Sequence, residues 1–478
     1  MADKGVAGLS HVGKYFTKDK PIIEIEAKEA EYSFPLKQHI GKQAIPVVKP
    51  GDKVKRGQLI AKEAKGLSIC IHSSVDGTVI GIAKKVTVDG TMVDSIVVRG
   101  NKSSDTKRYI WTKTENYCTK QSPDGKFSKG MCELIDIVRS AGIMGMGGAG
   151  YPTYAKYALA AKKSIDYVIA NGAECEPYLT ADYRLMVEKP KNIVLGLCEI
   201  IRRLSDEKNI TNVVKINKNY SKEQKAGRFK NDTGELSVKG IIALEKQNLN
   251  TSPRANDALE GVIRAGKITD IQVVTLPSIY PRGAEKILVK SVTGRQVDSG
   301  MLPSDVGCVV SNIHTVNAIY EAIAYRKPLI DRVITVSGDG VRYPGNYLVP
   351  IGVSCKDVLN EAGIIEESVT VIAGGPMMGH VIFSDETVIT GSVNGLICIK
   401  GTLCNKEIKD SSCIRCGKCI EVCPMGLSPV NLVQCALSGA GKSFIKNGGK
   451  ECMKCGSCSY VCPAGRELTA IIATFSKK

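Results

Sequence analysis

Apolar and polar residues alternate with a period of two over the first part of the chain. From about residue 21 to 100, runs of β-branched residues are separated by turn formers such as Pro50-Gly51-Asp52 and Asp76-Gly77. Short alternating runs bounded by such turns are typical of strands. We therefore predict a small barrel or sandwich over residues 21–100, after a leader at residues 1–20.

The pattern of this barrel resembles that of the biotinyl/lipoyl type, in which a lysine in a hairpin carries the prosthetic group. Lys65 lies near the expected place, but Gly66 follows it and the flanking methionines of a biotin site are missing. Isolated motif matches of this kind are weak. We therefore predict an unmodified structural barrel.

Helical and strand patterns alternate farther along the chain. After a polar stretch that we interpret as a linker (101–129), helical spacing at 133–140 and 155–162 alternates with strand-forming runs at 167–170, 271–276 and 308–311. This alternation predicts an α/β domain over residues 130–325. Within it, the basic and polar stretch Lys215 to Asp232 is interpreted as a solvated insertion.

The remainder of the chain has two further patterns. A strand, a turn, a second strand and a short helix follow Arg332, which predicts a small β-grasp module at residues 326–395. From 401 to 470 cysteine becomes dense and two similar blocks appear. The predicted fold is thus multi-domain, of mixed α/β and α+β class.

Composition supports a globular chain with bound metal. With 478 residues, 43% hydrophobic and 24% charged, the chain has room for three or four packed domains. It has no uninterrupted apolar stretch of the roughly 18 to 20 residues that a membrane helix needs, and no apolar signal segment. We therefore expect it in the cytoplasm, where its 18 cysteines are better suited to metal than to disulfides.

The formal net charge of +17 indicates an anionic partner, such as a nucleotide, an acidic protein or a phospholipid surface. Nucleic acid is the least favoured of these partners. The chain has only seven Phe and one Trp, and no basic stripe is interleaved with aromatic residues.

The most specific motif is Cys-x2-Cys-x2-Cys-x3-Cys-Pro, which occurs twice in the last part of the chain. In this motif three thiolates bind one 4Fe-4S cluster, while the fourth, before the proline, binds the other cluster. Structural zinc, the alternative, is usually bound by two separated Cys-x2-Cys pairs. We therefore predict one cluster on Cys413, Cys416, Cys419 and Cys462, and a second on Cys452, Cys455, Cys458 and Cys423.

A glycine-rich segment, Gly145-Met146-Gly147-Gly148-Ala149-Gly150, contains a formal G-x-G-x-x-G. A dinucleotide fingerprint needs a strand leading into these glycines, whereas the preceding residues read at least as well as a helix. Glycines do permit close approach of backbone amides to a phosphate, and Lys156 follows on the next predicted helix. The segment therefore indicates a phosphate site without specifying a Rossmann fold.

This segment and Asn171-Gly-Ala-Glu174-Cys-Glu176-Pro177 resemble the flavin-binding segments of the complex I flavin subunit, and more closely those of the C subunit of Rnf electron-transfer complexes. Two later segments, 281–286 and 311–315, match the family in the same order. The resemblance covers nearly the whole chain and implies a barrel-sandwich hybrid, a complex I flavin-subunit-like domain, an SLBB-like β-grasp module and a helical dicluster ferredoxin-like domain.

Carried over residue by residue, the resemblance implies FMN at the glycines, with its phosphate near Lys156, and NAD(H) beside two glutamates, Glu176 and Glu285. Where the family commonly has a second glycine, this chain has Ala284, a departure from the family pattern on the NAD(H) side. The FMN residues so implied are Gly145, Gly147, Gly148, Gly150, Lys156, Asn171, Glu174, Asn312 and Thr315.

The implied function is electron exchange between NAD(H), FMN and two 4Fe-4S clusters toward ferredoxin. Other Rnf subunits would be partners and would couple the reaction to Na+ or H+ movement, with this subunit peripheral on the cytoplasmic side of the membrane. Two alternatives stay open at this stage: a related reductase for another acceptor, in a cobalamin or proline reductase system, and an electron wire without flavin.

Overall fold

The computed structural model describes residues 8–10, 16–101, 109–111, 128–205, 238–246, 254–365, 369–384, 386–401 and 411–477. Most of the predicted linker and the whole of the predicted insertion at 215–232 lie outside these residues. Within the described ranges, no helix is both long enough and apolar enough to span a bilayer.

The first part of the chain is a barrel of short strands. One sheet has the order β3-β9-β8-β5 and a second has the order β4-β6-β7. Phe34, Ile60 and Ile96 fill its interior and are fully buried, in keeping with the period-two pattern. The strands up to this point are β1 Leu9–Ser10, β2 Ile22–Glu24, β3 Glu31–Pro35, β4 Ile45–Pro46, β5 Lys53–Val54, β6 Leu59–Lys62, β7 Ile71–His72, β8 Gly77–Val86 and β9 Met92–Gly100.

Two of these strands pair outside the barrel. β1 is antiparallel to Ile279–Tyr280 in the α/β domain, and β2 is parallel to Gly345–Pro350 in the β-grasp sheet. The barrel was predicted to begin at residue 21, whereas its own first strand is β3. Strands of two or three residues have too little periodicity to indicate which sheet they join.

The next part is a four-stranded parallel sheet with helices, in the order β12-β11-β10-β14. β10 lies between β11 and β14, so the strand order reverses between β10 and β14. Ligands of open α/β sheets bind at the carboxyl ends of strands at such a reversal. The elements are α1 Lys129–Ser140, α2 Thr153–Ala160, β10 Tyr167–Gly172, α3 Ala181–Glu188, α4 Pro190–Leu204, β11 Lys239–Glu245, α5 Ala255–Gly266, β12 Ile271–Leu276, β13 Ile279–Tyr280, α6 Glu285–Thr293, β14 Cys308–Asn312 and α7 Ile313–Tyr325.

A six-stranded mixed sheet follows, in the order β18-β17-β19-β15-β16-β2. Its helix α8 begins after Ser354, whose hydroxyl accepts a hydrogen bond from the amide of Asp357 at 3.0 Å, a common helix cap. The last strand extends past residue 395, where the module was predicted to end. The elements are β15 Asp331–Ser337, β16 Gly345–Pro350, α8 Cys355–Ala362, β17 Val369–Ala373, β18 His380–Val381 and β19 Gly395–Lys400.

The last part is a small helical unit that contains the cysteine blocks. Leu432, Phe444 and Leu468 form its buried core. Its helices are α9 Lys418–Glu421, α10 Pro429–Leu437, α11 Gly441–Lys446, α12 Ser457–Tyr460 and α13 Leu468–Phe475.

A buried ionic network joins three of these units. The ammonium of Lys327 lies 2.7 Å from a carboxylate oxygen of Asp331 and 2.9 Å from one of Glu321. Arg56 of the barrel pairs with Asp331 at 3.0 Å, and Lys189 pairs with Glu321 at 3.0 Å. Lys327 holds the pKa of Glu321 below its usual range despite burial. The network therefore orients the barrel, the parallel sheet and the six-stranded sheet relative to one another.

Replacing Lys327 by methionine should destabilise the protein, because it leaves two buried carboxylates short of a cation. Removing one partner of a buried pair costs about 3 kcal/mol or more. Lys84→Met is the matched control, because its pair with Asp94 is exposed and such pairs contribute at most about 1 kcal/mol. Urea unfolding followed by circular dichroism measures both, and equal shifts would show that the network does not hold the units together.

Candidate functional site

The glycine-rich loop follows a helix, as its sequence indicated, and not a strand. It links α1 to α2 and is closed by two backbone hydrogen bonds, from the amide of Gly145 to Tyr151 O at 2.7 Å and from the amide of Gly150 to Gly145 O at 3.2 Å. The amide of Met146 donates to the hydroxyl of Thr315 at 3.0 Å. Thr315 thus attaches the loop to the first turn of α7.

The tip of the loop presents backbone donors. Within the described part of the chain, the amides of Gly147, Gly148 and Ala149 have no hydrogen-bond acceptor, and all three residues are exposed. A side chain at Gly147 would begin 3.4 Å from the Cβ of Asn312, so the loop lies directly against the end of β14. Consecutive exposed amides of this kind form a concavity suited to an anion such as a phosphate.

Two asparagines lie beneath the loop where the strand order reverses. The register pairs Asn171, on β10, with Asn312, the last residue of β14. The amide nitrogen of Asn171 donates to Gly283 O at 2.8 Å, and its oxygen accepts from the amide of Ala173 at 3.1 Å. Asn312 caps α7 by accepting from the amide of His314 at 2.9 Å. The carboxyl ends of β10 and β14 therefore carry polar side chains held in place by their own hydrogen bonds, and we call the region at these two strand ends the crevice.

Acidic groups line the same crevice. The carboxylate of Glu174 accepts hydrogen bonds from the amides of Asp182 and Tyr183, each at 3.2 Å. The amide nitrogen of Asn312 donates to Asp182 at 2.7 Å. Desolvation, and then the negative charge of Asp182, raise the pKa of Glu174 well above its usual value. Burial among these groups therefore disfavours the charged form of Glu174.

Lys156 and Glu285, which the resemblance assigned to phosphate and nucleotide, form an ion pair with each other. The ammonium of Lys156 also donates to Val310 O, on β14, at 2.8 Å. Both side chains therefore lie next to β14, on the side where α2 and α6 meet this strand.

Glu176 lies at the border with the six-stranded sheet. One of its carboxylate oxygens accepts from the amide of Met377 at 3.1 Å, and burial raises its pKa to about 7. The neighbouring Tyr280 donates from its hydroxyl to Cys455 O at 2.7 Å. The crevice side of the parallel sheet thus contacts the cysteine-rich unit directly.

The two cysteine blocks have the same backbone conformation. The residues two positions after the first cysteine of each block, Arg415 and Lys454, have φ values of 56° and 61°. The glycines that follow the second cysteines, Gly417 and Gly456, have φ values of 80° and 82°. The sequence repeat is therefore also a structural repeat.

The fourth cysteine of the first block lies beside the second block. Cys423 of the first block lines one cavity together with Cys452, Cys455 and Cys458 of the second. Conversely, Ser411, two residues before Cys413, donates from its hydroxyl to Ala464 O at 2.6 Å, which brings the region after Cys462 to the first block. With the side chains in the conformations observed, the described residues contain no group of three or more His, Cys, Asp or Glu that could hold a metal ion.

Several residues of the site were not found by sequence reasoning. Asp182 contacts Asn312, and Tyr280 contacts Cys455. Arg332 contacts Met146 of the glycine-rich loop. None of the three stands in a segment with a motif signal. His314, whose ring nitrogen lies 3.1 Å from Asp182, is part of the quoted segment 311–315 but had no assigned role. The assignment of its neighbours Asn312 and Thr315 to the site was the signal in the sequence that could have identified His314.

Family models match four parts of the chain. The matches are a Nuo51 FMN-binding domain at residues 138–321, an RnfC barrel sandwich hybrid domain at 4–103, an SLBB domain at 333–381 and a 4Fe-4S binding domain at 406–428. The predicted fold class is confirmed.

Curated relatives cover most of the chain. The chain is 37% identical over 417 residues to the C subunit of the proton-translocating ferredoxin:NAD(+) oxidoreductase complex of Clostridium ljungdahlii, covering 87% of this chain and 80% of that protein. It is 34% identical over 402 residues to the C subunit of the Na(+)-translocating ferredoxin:NAD(+) oxidoreductase complex of Acetobacterium woodii, covering 84% and 80%.

A solved structure, an NAD+-reducing [NiFe]-hydrogenase in the H2-reduced state, aligns with a TM-score of 0.47 at 17% identity, covering 76% of this chain and 63% of that chain. That likeness is too distant to carry an argument. The two curated relatives are each more than 30% identical to this chain, over most of both chains. The chain belongs to the family of C subunits of ion-translocating ferredoxin:NAD oxidoreductase complexes, the Rnf complexes.

Proposed function

We propose that this chain is the NAD-linked subunit of an Rnf-type complex, exchanging electrons between NAD(H), FMN and two 4Fe-4S clusters toward ferredoxin. Its partner subunits would couple this exchange to Na+ or H+ translocation. The observation that carries the proposal is the hydrogen bond from Tyr280 to Cys455 O, because it joins the crevice and a predicted cluster ligand in one packed body.

FMN suits the crevice because its phosphate matches the exposed amides at the tip of the glycine-rich loop, and its polar ring edges match the asparagines at the strand ends. When bound, FMN converts between the two-electron chemistry of NAD(H) and the one-electron chemistry of the clusters. The residues proposed to hold it are Gly145, Gly147, Gly148, Gly150, Lys156, Asn171, Glu174, Asn312 and Thr315.

Glu176 and Glu285 are proposed to face NAD(H). Glu285 begins α6 and pairs with Lys156, so it lies beside the residues proposed for FMN. Glu176 lies between the crevice and the loop of the six-stranded sheet at Met377. Its raised pKa reduces its negative charge near neutral pH, which lessens repulsion of an anionic dinucleotide.

The two clusters are proposed to have different positions in the electron path. Cys455 packs with Tyr280, Leu9 and Met377 in one apolar cluster against the parallel sheet. Cys413 and Cys416 are exposed. The cluster on Cys423, Cys452, Cys455 and Cys458 would therefore exchange electrons with the flavin side, and the cluster on Cys413, Cys416, Cys419 and Cys462 with a partner subunit.

The proposed location is the cytoplasmic face of the membrane, as a peripheral subunit. Two features support it: NAD(H) is a cytoplasmic cofactor, and the many free cysteines suit a reducing compartment. A net charge of +17 also favours association with anionic lipid headgroups or an acidic partner.

Anaerobic reconstitution of the full chain with iron, sulfide and FMN tests the function. NADH should bleach the bound flavin first and the clusters afterwards. If the chain binds clusters but no flavin, only the hypothesis of an electron wire without flavin would remain. If the chain takes up zinc in place of iron and sulfide, the redox function is refuted. Neither of the two relatives bears the name of a cobalamin or proline reductase protein.

The exchange of fourth cysteines between blocks predicts which variants resemble each other. Cys423→Ala should lose the same cluster as Cys452→Ala, and Cys462→Ala should lose the same cluster as Cys419→Ala. Each variant should contain about half the iron and acid-labile sulfide of the natural chain. Cys435→Ala, outside both motifs, is the control and should retain all of it. Paramagnetic resonance of the reduced variants decides the pairing, and a spectrum of Cys423→Ala that matched Cys419→Ala instead would refute it.

Thr315→Val should weaken FMN binding by roughly five- to thirtyfold, because the buried amide of Met146 loses its acceptor at a cost of about 1–2 kcal/mol and the loop loosens. Thr315→Ser keeps the hydroxyl and should bind FMN nearly as the natural chain does. Quenching of FMN fluorescence gives both dissociation constants. Equal affinities for the two variants would mean that the loop does not depend on this hydrogen bond.

A further inference from the structure

Arg332 places a buried charge next to the glycine-rich loop. It is the second residue of β15 and only 2% exposed. Its guanidinium donates to Gly391 O at 2.6 Å, to Val333 O at 3.3 Å and to Met146 O at 3.4 Å. Burial lowers its pKa to about 10, so the group is still cationic at neutral pH.

All three acceptors are neutral carbonyls. Among the described residues, no carboxylate accepts a hydrogen bond from Arg332, whereas the comparably buried Arg203 pairs with Glu199. A buried cation without a paired anion is strongly unfavourable. The acidic groups whose field acts on Arg332 are Asp182 and Glu174, and both lie at the crevice. Its contact with Met146 O places this charge beside the glycine-rich loop.

The contact also orients one peptide group of the loop. Met146 donates its amide to Thr315 and accepts from Arg332 at its carbonyl, so both its polar backbone groups are held. In a trans peptide the carbonyl of one residue and the amide of the next point in opposite directions. With the Met146 carbonyl directed at Arg332, the amide of Gly147 points away from it, toward the exposed side of the loop.

We propose that Arg332 is a positioning residue for the flavin, which holds the Gly147 amide toward the cofactor and electrostatically favours its reduced form. The proposal rests on the proposed function, since it requires FMN at this loop. When bound, FMN would accept a hydride, two electrons with one proton, from NADH; once NAD+ has left, the flavin would retain one unit of negative charge. A fixed cation in a water-poor site stabilises that charge.

Two substitutions separate the charge from the hydrogen bonds. In the full reconstituted chain, Arg332→Gln retains donors but no charge. It should shift the redox equilibrium of FMN toward the oxidised form tenfold or more, which lowers the midpoint potential by about 30 mV for a two-electron couple. Arg332→Lys retains the charge but lacks the forked donors that reach two carbonyls, and should keep the potential while weakening FMN binding several-fold.

Arg203→Gln is the matched control. Arg203 lies in the last turn of α4, whose Leu197 and Ile201 pack against Gly240 at the start of β11. This turn is therefore near the amino ends of the parallel strands, whereas the crevice is at their carboxyl ends. This variant should change neither the potential nor the FMN affinity.

An FMN potential in Arg332→Gln equal to that of the natural chain would overturn the electrostatic role. If this variant fails to fold, as judged by circular dichroism and cluster content, Arg332→Lys decides, and natural FMN affinity in that variant would overturn the positioning role. Failure of the proposed function would give a distinguishable result, because the natural chain itself would then bind no FMN. That result would refute both the proposed function and the role of Arg332.

Discussion

The parallel pairing of β10 with β14 is the interaction on which the site depends. The strand order reverses between them, and ligands of open α/β sheets bind at the carboxyl ends of strands at such a reversal. The register sets Asn171 beside Asn312, and Asn312 in turn caps α7. The first turn of α7 then supplies Thr315 to the glycine-rich loop. A shift of this register would displace the asparagines, the helix and the loop together.

The units of the chain share their interiors, so the site is not the property of one domain. Barrel residues such as Phe34 and Ile60 lie in the same buried cluster as Val336 and Leu396 of the six-stranded sheet. At the seams between units, charge is buried in two ways: the Lys327 network pairs its ions, whereas Arg332 faces only carbonyls. The paired network joins three units, whereas Arg332 brings a buried charge beside the glycine-rich loop through its contact with Met146 O.

The cysteine-rich unit illustrates how a sequence repeat becomes a functional asymmetry. The two blocks have matching left-handed residues at matching positions, so each forms the same local shape. Packing against Tyr280 and Met377 then buries Cys455, while Cys413 and Cys416 remain exposed. The two similar sets of cysteines thereby have different surroundings, and the surroundings of a 4Fe-4S cluster are among the factors that set its potential.

The sequence by itself determined the chemistry of the cysteine blocks, the order of the folded units and many of the helices and strands, because spacing and periodicity are local properties. It also located the glycine-rich loop and the segments around Asn171 and Asn312. Only the tertiary structure decided that β1 and β2 leave the barrel, that Lys156 pairs with Glu285, and that Tyr280 reaches Cys455. These contacts join residues more than a hundred positions apart, and no local pattern encodes which distant partner a short strand or a buried side chain will meet.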